Sequence, residues 1–208
     1  MLTTAERRET VHAYLRESAD IKRRSAEECE DAILAAADLI TQSFCAGSKV
    51  LLCGNGGSAA DCQHMATEFV SRLTKDFDRP GLPAIALTTD TSFLTAFAND
   101  CGFDGLFERQ IQALGRPGDV LIGISTSGNS PNVVRAVRYA RTAGLRSVVL
   151  TGAGGQLKAL ADVAISVPST DTQHIQEAHL AIEHLICWFV ERDLYSSPAT
   201  VHGREDGS

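Results

Sequence analysis

The sequence predicts an α/β protein of three layers, a five-stranded parallel sheet flanked by helices and preceded by N-terminal helices. Three observations carry that prediction. Short apolar runs such as Val50-Leu51-Leu52-Cys53 and Val120-Leu121-Ile122-Gly123-Ile124 alternate with longer segments at helical spacing. The runs are apolar throughout, as strands buried on both faces require, and right-handed crossovers then follow by default. Two of the runs end in turns rich in glycine or hydroxyl groups, each leading at once into a helical pattern.

Taken in order, residues 4–19 and 26–46 carry helical spacing through Val11, Tyr14 and Leu15, then Ile33, Ala36, Ala37, Ile40 and Phe44. Gly47 suits the end of the second helix. The apolar stripes of these two helices need a partner, either the chain's own sheet or another subunit. The first strand ends in Cys53-Gly54-Asn55-Gly56-Gly57-Ser58, with Ser58 able to cap the helix that follows. Pro80 to Pro83 breaks the chain before a second strand at 84–87. Helical spacing at Phe93, Leu94 and Phe97 then gives way to a turn at Asn99-Asp100-Cys101-Gly102, and 104–114 forms another short helix. The third strand, 119–124, runs into Ser125-Thr126-Ser127-Gly128-Asn129-Ser130-Pro131. Pro131 at a first helical position, with Ser130 as its cap, starts a helix over 131–142. Gly144 ends it, Ser147-Val148-Val149-Leu150 is the fourth strand, a weaker helix covers 155–161, and 163–167 is the fifth strand. The last helix runs over 172–194, and a polar tail, 196–208, is expected to fray. Residues 1–195 thus read as a single domain, with no internal repeat and no low-complexity segment.

Composition narrows the function. The formal net charge of -7 opposes a nucleic-acid surface, which needs a basic stripe, and the scattered basic residues form no membrane-binding patch. No apolar run reaches the length of a membrane span. Six cysteines at irregular spacing, without a C-x-x-C, point to a reducing compartment and hence to the cytoplasm.

The turn after the first strand sets backbone N–H groups at a helix N-terminus, a ready site for an anion. The turn after the third offers four hydroxyls in six residues (Ser125, Thr126, Ser127, Ser130) in the equivalent position. Neutral donors at a helix start suit a phosphate monoester without requiring magnesium. In open α/β sheets ligands lie at such strand ends. Gly54-x-Gly56-x-x-Ala59 also matches a degenerate dinucleotide fingerprint, but the acidic residue expected about twenty positions on is absent. His64 and Glu68, four residues apart, share a helix face. Such pairs are also common on solvated helices, so the spacing leaves both readings open. Gln176 and His184 lie eight apart in the last helix, about 12 Å along its axis.

Together, Cys53 to Ser58, His64-x-x-x-Glu68, Asn99-Asp100, Gly123 to Ser130, Ile175-Gln176-Glu177 and His184 resemble the phosphoheptose isomerase family, over about residues 5–195. The resemblance implies the SIS (sugar isomerase) fold. It also implies conversion of D-sedoheptulose 7-phosphate to D-glycero-D-manno-heptose 7-phosphate through an enediol, the step that begins ADP-heptose synthesis for the lipopolysaccharide core. A homotetramer is implied, with one zinc ion per subunit on the positions of His64, Glu68, Gln176 and His184. The chemistry of moving a proton between C1 and C2 suits Glu68 as the catalytic base, and His184 can open the ring or shuttle protons between the two oxygens. Asn55, Gly56, Gly57, Ser58, Glu68, Asn99, Asp100, Ser125, Thr126, Ser127, Ser130 and Gln176 match substrate-binding positions, and Arg72 matches one close to the site. One departure is visible: Gln173 stands where some members carry an acid, and Asp171 is the nearest acid. Two alternatives share the fold, another phosphosugar isomerase and a non-catalytic regulator that binds the replication initiator. That regulator lacks the acid and histidine positions matched by Glu68 and His184.

Overall fold

Five strands form one parallel sheet in the computed structural model, which describes residues 1–76 and 78–196. They are β1 (Val50–Gly54), β2 (Ala84–Ala86), β3 (Val120–Ser125), β4 (Arg146–Thr151) and β5 (Val163–Ser166), in the spatial order β2-β1-β3-β4-β5. The pairing of β1 with β3 runs from Val50 opposite Val120 to Gly54 opposite Ile124. The helices are α1 (Thr4–Glu28), α2 (Glu30–Cys45), α3 (Gly57–Val70), α4 (Thr91–Cys101), α5 (Leu106–Leu114), α6 (Pro131–Thr142) and α7 (Thr172–Tyr195).

Alternate residues of each central strand serve opposite cores. Val50, Leu52, Val120, Ile122, Ile124, Val148 and Leu150 pack under α2, α3 and α7. Leu51, Cys53, Leu121 and Val149 point the other way, against Leu106, Phe107, Ile111, Val133, Val137 and Ala140 of α5 and α6. The unbroken apolar runs follow directly from this two-sided burial. The order β2-β1-β3 places the topological switch between β1 and β3, so α3 and α6 leave neighbouring strands toward opposite layers.

Several boundaries differ from the sequence expectation. The first helix does not stop near 19 but continues to Glu28. Its polar second half lacks apolar spacing, yet ion pairs of Arg23 with Asp20 and Glu27, and of Arg24 with Glu28, suit a solvated helix face. A capping box of Thr3 and Glu6 closes its start. Ser58 is not the cap of α3: Gly56 holds that position at φ +57° and ψ −122°, a conformation that glycine adopts without Cβ strain, and Ser58 lies buried inside the first turn. Asn99, Asp100 and Cys101 form the last turn of α4 rather than a loop, and Gly102 at φ +87° ends the helix. The expected helix at 155–161 shrinks to a 3-10 turn, Gln156–Ala159, and a second such turn, Phe103–Gly105, precedes α5. Strand β2 is one residue shorter than expected. From residue 197 the polar tail lies outside the described residues.

The N-terminal helices find partners within the chain. α2 joins the sheet core through Ile33, Ala36, Ala37, Ile40 and Phe44. α1 is held to α7 mainly by polar groups, with Glu177 at the centre. Tyr14 Oη donates to Glu177 Oε1 at 2.7 Å, the Ser18 hydroxyl donates to Oε2, and Lys22 Nζ lies 3.5 Å away. The hydrogen bonds from Ser18 and Tyr14 pull the Glu177 carboxyl down to about 2 from an ordinary 4.5. A depressed carboxyl stabilises the fold above its unfolded value and loses that contribution as pH falls through its folded value. The stability gap between the native chain and Glu177→Gln should therefore be full above pH 4.5 and close between pH 4.5 and 2. Urea unfolding midpoints across that range measure it. A gap independent of pH would show that the charge takes no part in joining α1 to α7.

Candidate active site

Two groups of side chains make up the candidate site. The first is the pair of turns that follow β1 and β3. In the β3 turn, Ser125 is buried at the strand end and its hydroxyl meets Ser130 Oγ at 2.9 Å and Ser127 Oγ at 3.4 Å. Ser130 occupies the cap position of α6, but its hydroxyl turns toward Ser125 instead of bonding the helix. Ser127 Oγ accepts from Asn129 N at 3.2 Å, and Thr126 is half-buried. The turn also packs against the backbone of the loop after β4: a methyl on Gly155, at φ +97°, would come within 2.4 Å of Gly128 Cα. In the β1 turn, Asn55 is half-buried, Gly56 is exposed, and Gly57 opens α3.

The second group stands on α3 and α7. His64 and Glu68 share one face of α3, and His184 comes from α7. His64 Nε2 lies 2.8 Å from His184 Nε2 and 3.4 Å from Glu68 Oε1, with the imidazole rings edge-on at 5.0 Å. One donor atom from each of the three residues falls within 4.8 Å of the others. Two imidazole nitrogens and a carboxylate oxygen are a donor set that divalent transition metals accept. Tetrahedral bonds of about 2.05 Å would set the two nitrogens about 3.3 Å apart, a widening of a few tenths of an ångström. The residues therefore fit an ion. Gln176, also in the implied ligand set, lies two helical turns before His184. Its amide rests beside Gly57, where an added methyl would come within 2.5 Å of Nε2. This contact joins α7 to the turn after β1.

The remaining expected residues are on exposed surface. Arg72 follows the end of α3, and Asn99 and Asp100 end α4, where Asn99 Nδ2 donates to Asp100 Oδ1 at 2.8 Å. Asp171 has a local task, capping α7 by accepting from Gln173 N at 2.9 Å and His174 N at 3.1 Å.

Sequence reasoning overlooked the groups that hold α3 against α7. Arg79, in the connection before β2, has a side chain only 1% exposed. It donates to the carbonyls of Glu68 and Phe69 at 2.8 and 2.9 Å and pairs with the equally buried Glu191 of α7 at 2.7 Å. Burial opposes the Glu191 charge, but the bonds from Arg79 and Thr74 outweigh it and leave the carboxyl below its ordinary value. No periodicity signals such a pair, because Arg79 lies in irregular chain. Glu183, beside His184, is fully buried, and burial with the nearby Asp61 charge pushes its carboxyl up to about 8. Burial also pushes the Cys53 thiol up to about 12 and holds Cys62 and Cys187 well above the usual range, so these thiols stay protonated.

The parallel sheet with hydroxyl-rich turns at its switch point defines a protein of the SIS class, and a family model for the SIS domain matches residues 13–152. A phosphoheptose isomerase of Roseiflexus sp. (strain RS-1) is 54% identical over 179 residues, covering 86% of this chain and 90% of its own length. One from Burkholderia pseudomallei (strain 1710b) is 57% identical over 160 residues, covering 76% of this chain and 80% of its own. The solved phosphoheptose isomerase of Neisseria gonorrhoeae superposes with a TM-score of 0.83 at 44% identity, covering 88% of this chain and 98% of the other. The chain belongs to the phosphoheptose isomerase family.

The three-donor cluster generates a direct test. Protein purified without chelator should carry about one divalent ion per chain by elemental analysis, and His184→Ala should lose it during gel filtration. A native chain that stays metal-free after incubation with zinc, cobalt and manganese would count against a metal centre on these residues.

Proposed function

We propose that this chain interconverts D-sedoheptulose 7-phosphate and D-glycero-D-manno-heptose 7-phosphate, the first step toward ADP-heptose for the lipopolysaccharide core. The observation that carries the reading is the convergence of Glu68 and His184, from two separate helices, in a chain with phosphate-facing turns after β1 and β3. The regulator alternative is not favoured, because it accounts for neither residue.

The phosphate does not react. It binds at the two turns, through Ser58, Ser125, Thr126, Ser127, Ser130 and the backbone at Asn55, Gly56 and Gly57, while Asn99, Asp100, Arg72 and Gln176 serve the sugar. Isomerisation breaks the C1–H bond of the ketose and makes a C2–H bond in the aldose. The Glu68 carboxylate takes the proton from C1, leaving an enediol, and returns it to C2. His184 moves a proton between the two oxygens, so that the hydroxyl at C1 becomes the carbonyl and the carbonyl at C2 becomes the hydroxyl. A zinc ion on His64, Glu68 and His184, with Gln176 as the fourth group implied by the resemblance, would supply Lewis-acid polarisation of the carbonyl, and Glu68 would act as base only when off the metal, since coordination lowers its basicity.

The same reading includes a homotetramer of single SIS domains, residues 1–195, at work in the cytoplasm. Exposed apolar side chains support assembly: Val11 and Leu15 on α1, and Leu180, Leu185 and Trp188 on α7. Leu185 and Trp188 also wall a cleft of about 740 Å³ that reaches His184, which a second copy could close. No helix of the described residues is long and apolar enough to cross a membrane.

Glu68→Gln keeps the size of the side chain and removes the base, so kcat on sedoheptulose 7-phosphate should fall by roughly 10²–10⁴-fold. Calorimetry should still detect substrate, since the turns are untouched. Ser127→Ala should raise KM more than it lowers kcat. A Glu68→Gln enzyme with near-native kcat would place the base elsewhere. Light scattering on the native chain should give the mass of four copies, and a monodisperse monomer at micromolar concentration would overturn the assembly.

A further inference from the structure

The turns after β1 and β3 must converge on one phosphate, yet the helices that follow them leave toward opposite layers. A direct link between the turns is therefore informative. Asn55 Nδ2 donates to Asn132 Oδ1 at 2.9 Å, and Asn132 Nδ2 donates back to Asn55 Oδ1 at 2.9 Å. The two carboxamides close a ring across the switch point. Asn132 Oδ1 also accepts from Val133 N at 2.9 Å, so it ties Asn55 to the first turn of α6 itself. Asn132 is only 1% exposed, whereas Asn55 is half-buried in the turn between β1 and α3. A buried amide with both ends engaged is costly to misplace, because any shift leaves a polar group unpaired.

We propose that Asn132 is a positioning residue for phosphate recognition, acting through Asn55 to hold the β1 and β3 turns at one separation. Asn132 does not touch the phosphate. Its amide sets the distance between the backbone donors at the start of α3 and the hydroxyls of Ser125, Ser127 and Ser130. Only asparagine both donates and accepts at this reach. Aspartate cannot donate back to Asn55 Oδ1, and alanine leaves Asn55 and the Val133 N–H without their partner. The inference rests on the reading that these turns bind a sugar phosphate, but it does not depend on which isomerisation follows.

A double-mutant cycle over Asn55→Ala, Asn132→Ala and the pair tests it, with inorganic phosphate binding and the KM and kcat for sedoheptulose 7-phosphate as readouts. Asn132→Ala should weaken phosphate and raise KM by about tenfold, within the range of couplings between touching residues, and change kcat by less than about twofold. In the Asn55→Ala background the same substitution should add no further loss. Asn132→Asp, which is isosteric, enters the same cycle if alanine impairs folding. Its added charge weakens phosphate whichever residue stands at 55, so the difference between backgrounds reports the positioning. Equal losses in both backgrounds, or Asn132→Ala with native phosphate affinity and only a lower melting temperature, would overturn the proposal. So would a native chain that binds no phosphate at millimolar concentration. A native chain that binds phosphate but does not turn over the ketose would sink the isomerase reading and leave this inference standing on the phosphate data.

Discussion

Two-sided burial of the parallel sheet is the constraint on which the site depends. Each central strand sends alternate side chains into two cores, so helices must cover both faces. With β1 and β3 adjacent, their following helices part to opposite layers at the strand ends, the place where open α/β sheets bind ligands. The turns after β1 and β3 both stand there. Helix starts supply partial positive charge there without a cation, which suits a phosphate that must be gripped and later released.

The His64, Glu68 and His184 cluster is organised separately, by polar contacts between α3 and α7. Apolar packing brings these helices together, but packing alone tolerates small slides. The buried Arg79 is more specific, since its guanidinium binds two carbonyls at the end of α3 and a carboxylate on α7. One of those carbonyls belongs to Glu68. A shift of α3 against α7 would therefore break charge-assisted bonds in a low-dielectric setting, where an unpaired charge is costly. Glu177 performs a more solvated version of the same task for α1, and its neighbour Gln176 reaches the start of α3.

The proposed anchoring and proton transfer would thus rest on different parts of the fold. The glycine- and hydroxyl-rich turns stand at the ends of β1 and β3, while His64, Glu68 and His184 meet between α3 and α7. In the proposed reaction, remote binding energy would orient a flexible sugar, and the carboxylate would need only to reach one carbon and the next. The relatives named phosphoheptose isomerases cover 80–90% of their own length in this chain, which spans both parts.

The sequence by itself determined the layers, the strand count, the two turns and the residues on each helix face. These follow from period, apolarity and local turn chemistry, all of which act over a few residues. It also put His64 and Glu68 on one face and supplied the family resemblance through contiguous motifs. It misplaced the end of α1, because charged residues can prolong a helix without apolar spacing, and the cap of α3, because a glycine took the role given to Ser58. Only the tertiary structure decided that His184 meets His64, that Gln176 turns to Gly57, and that Arg79 binds Glu191. Asn132 illustrates the reason. In sequence it is one polar residue in a helix start, and its partner is 77 positions away. A hydrogen bond across a sheet's switch point leaves no local signature, since neither residue's neighbours change to accommodate it.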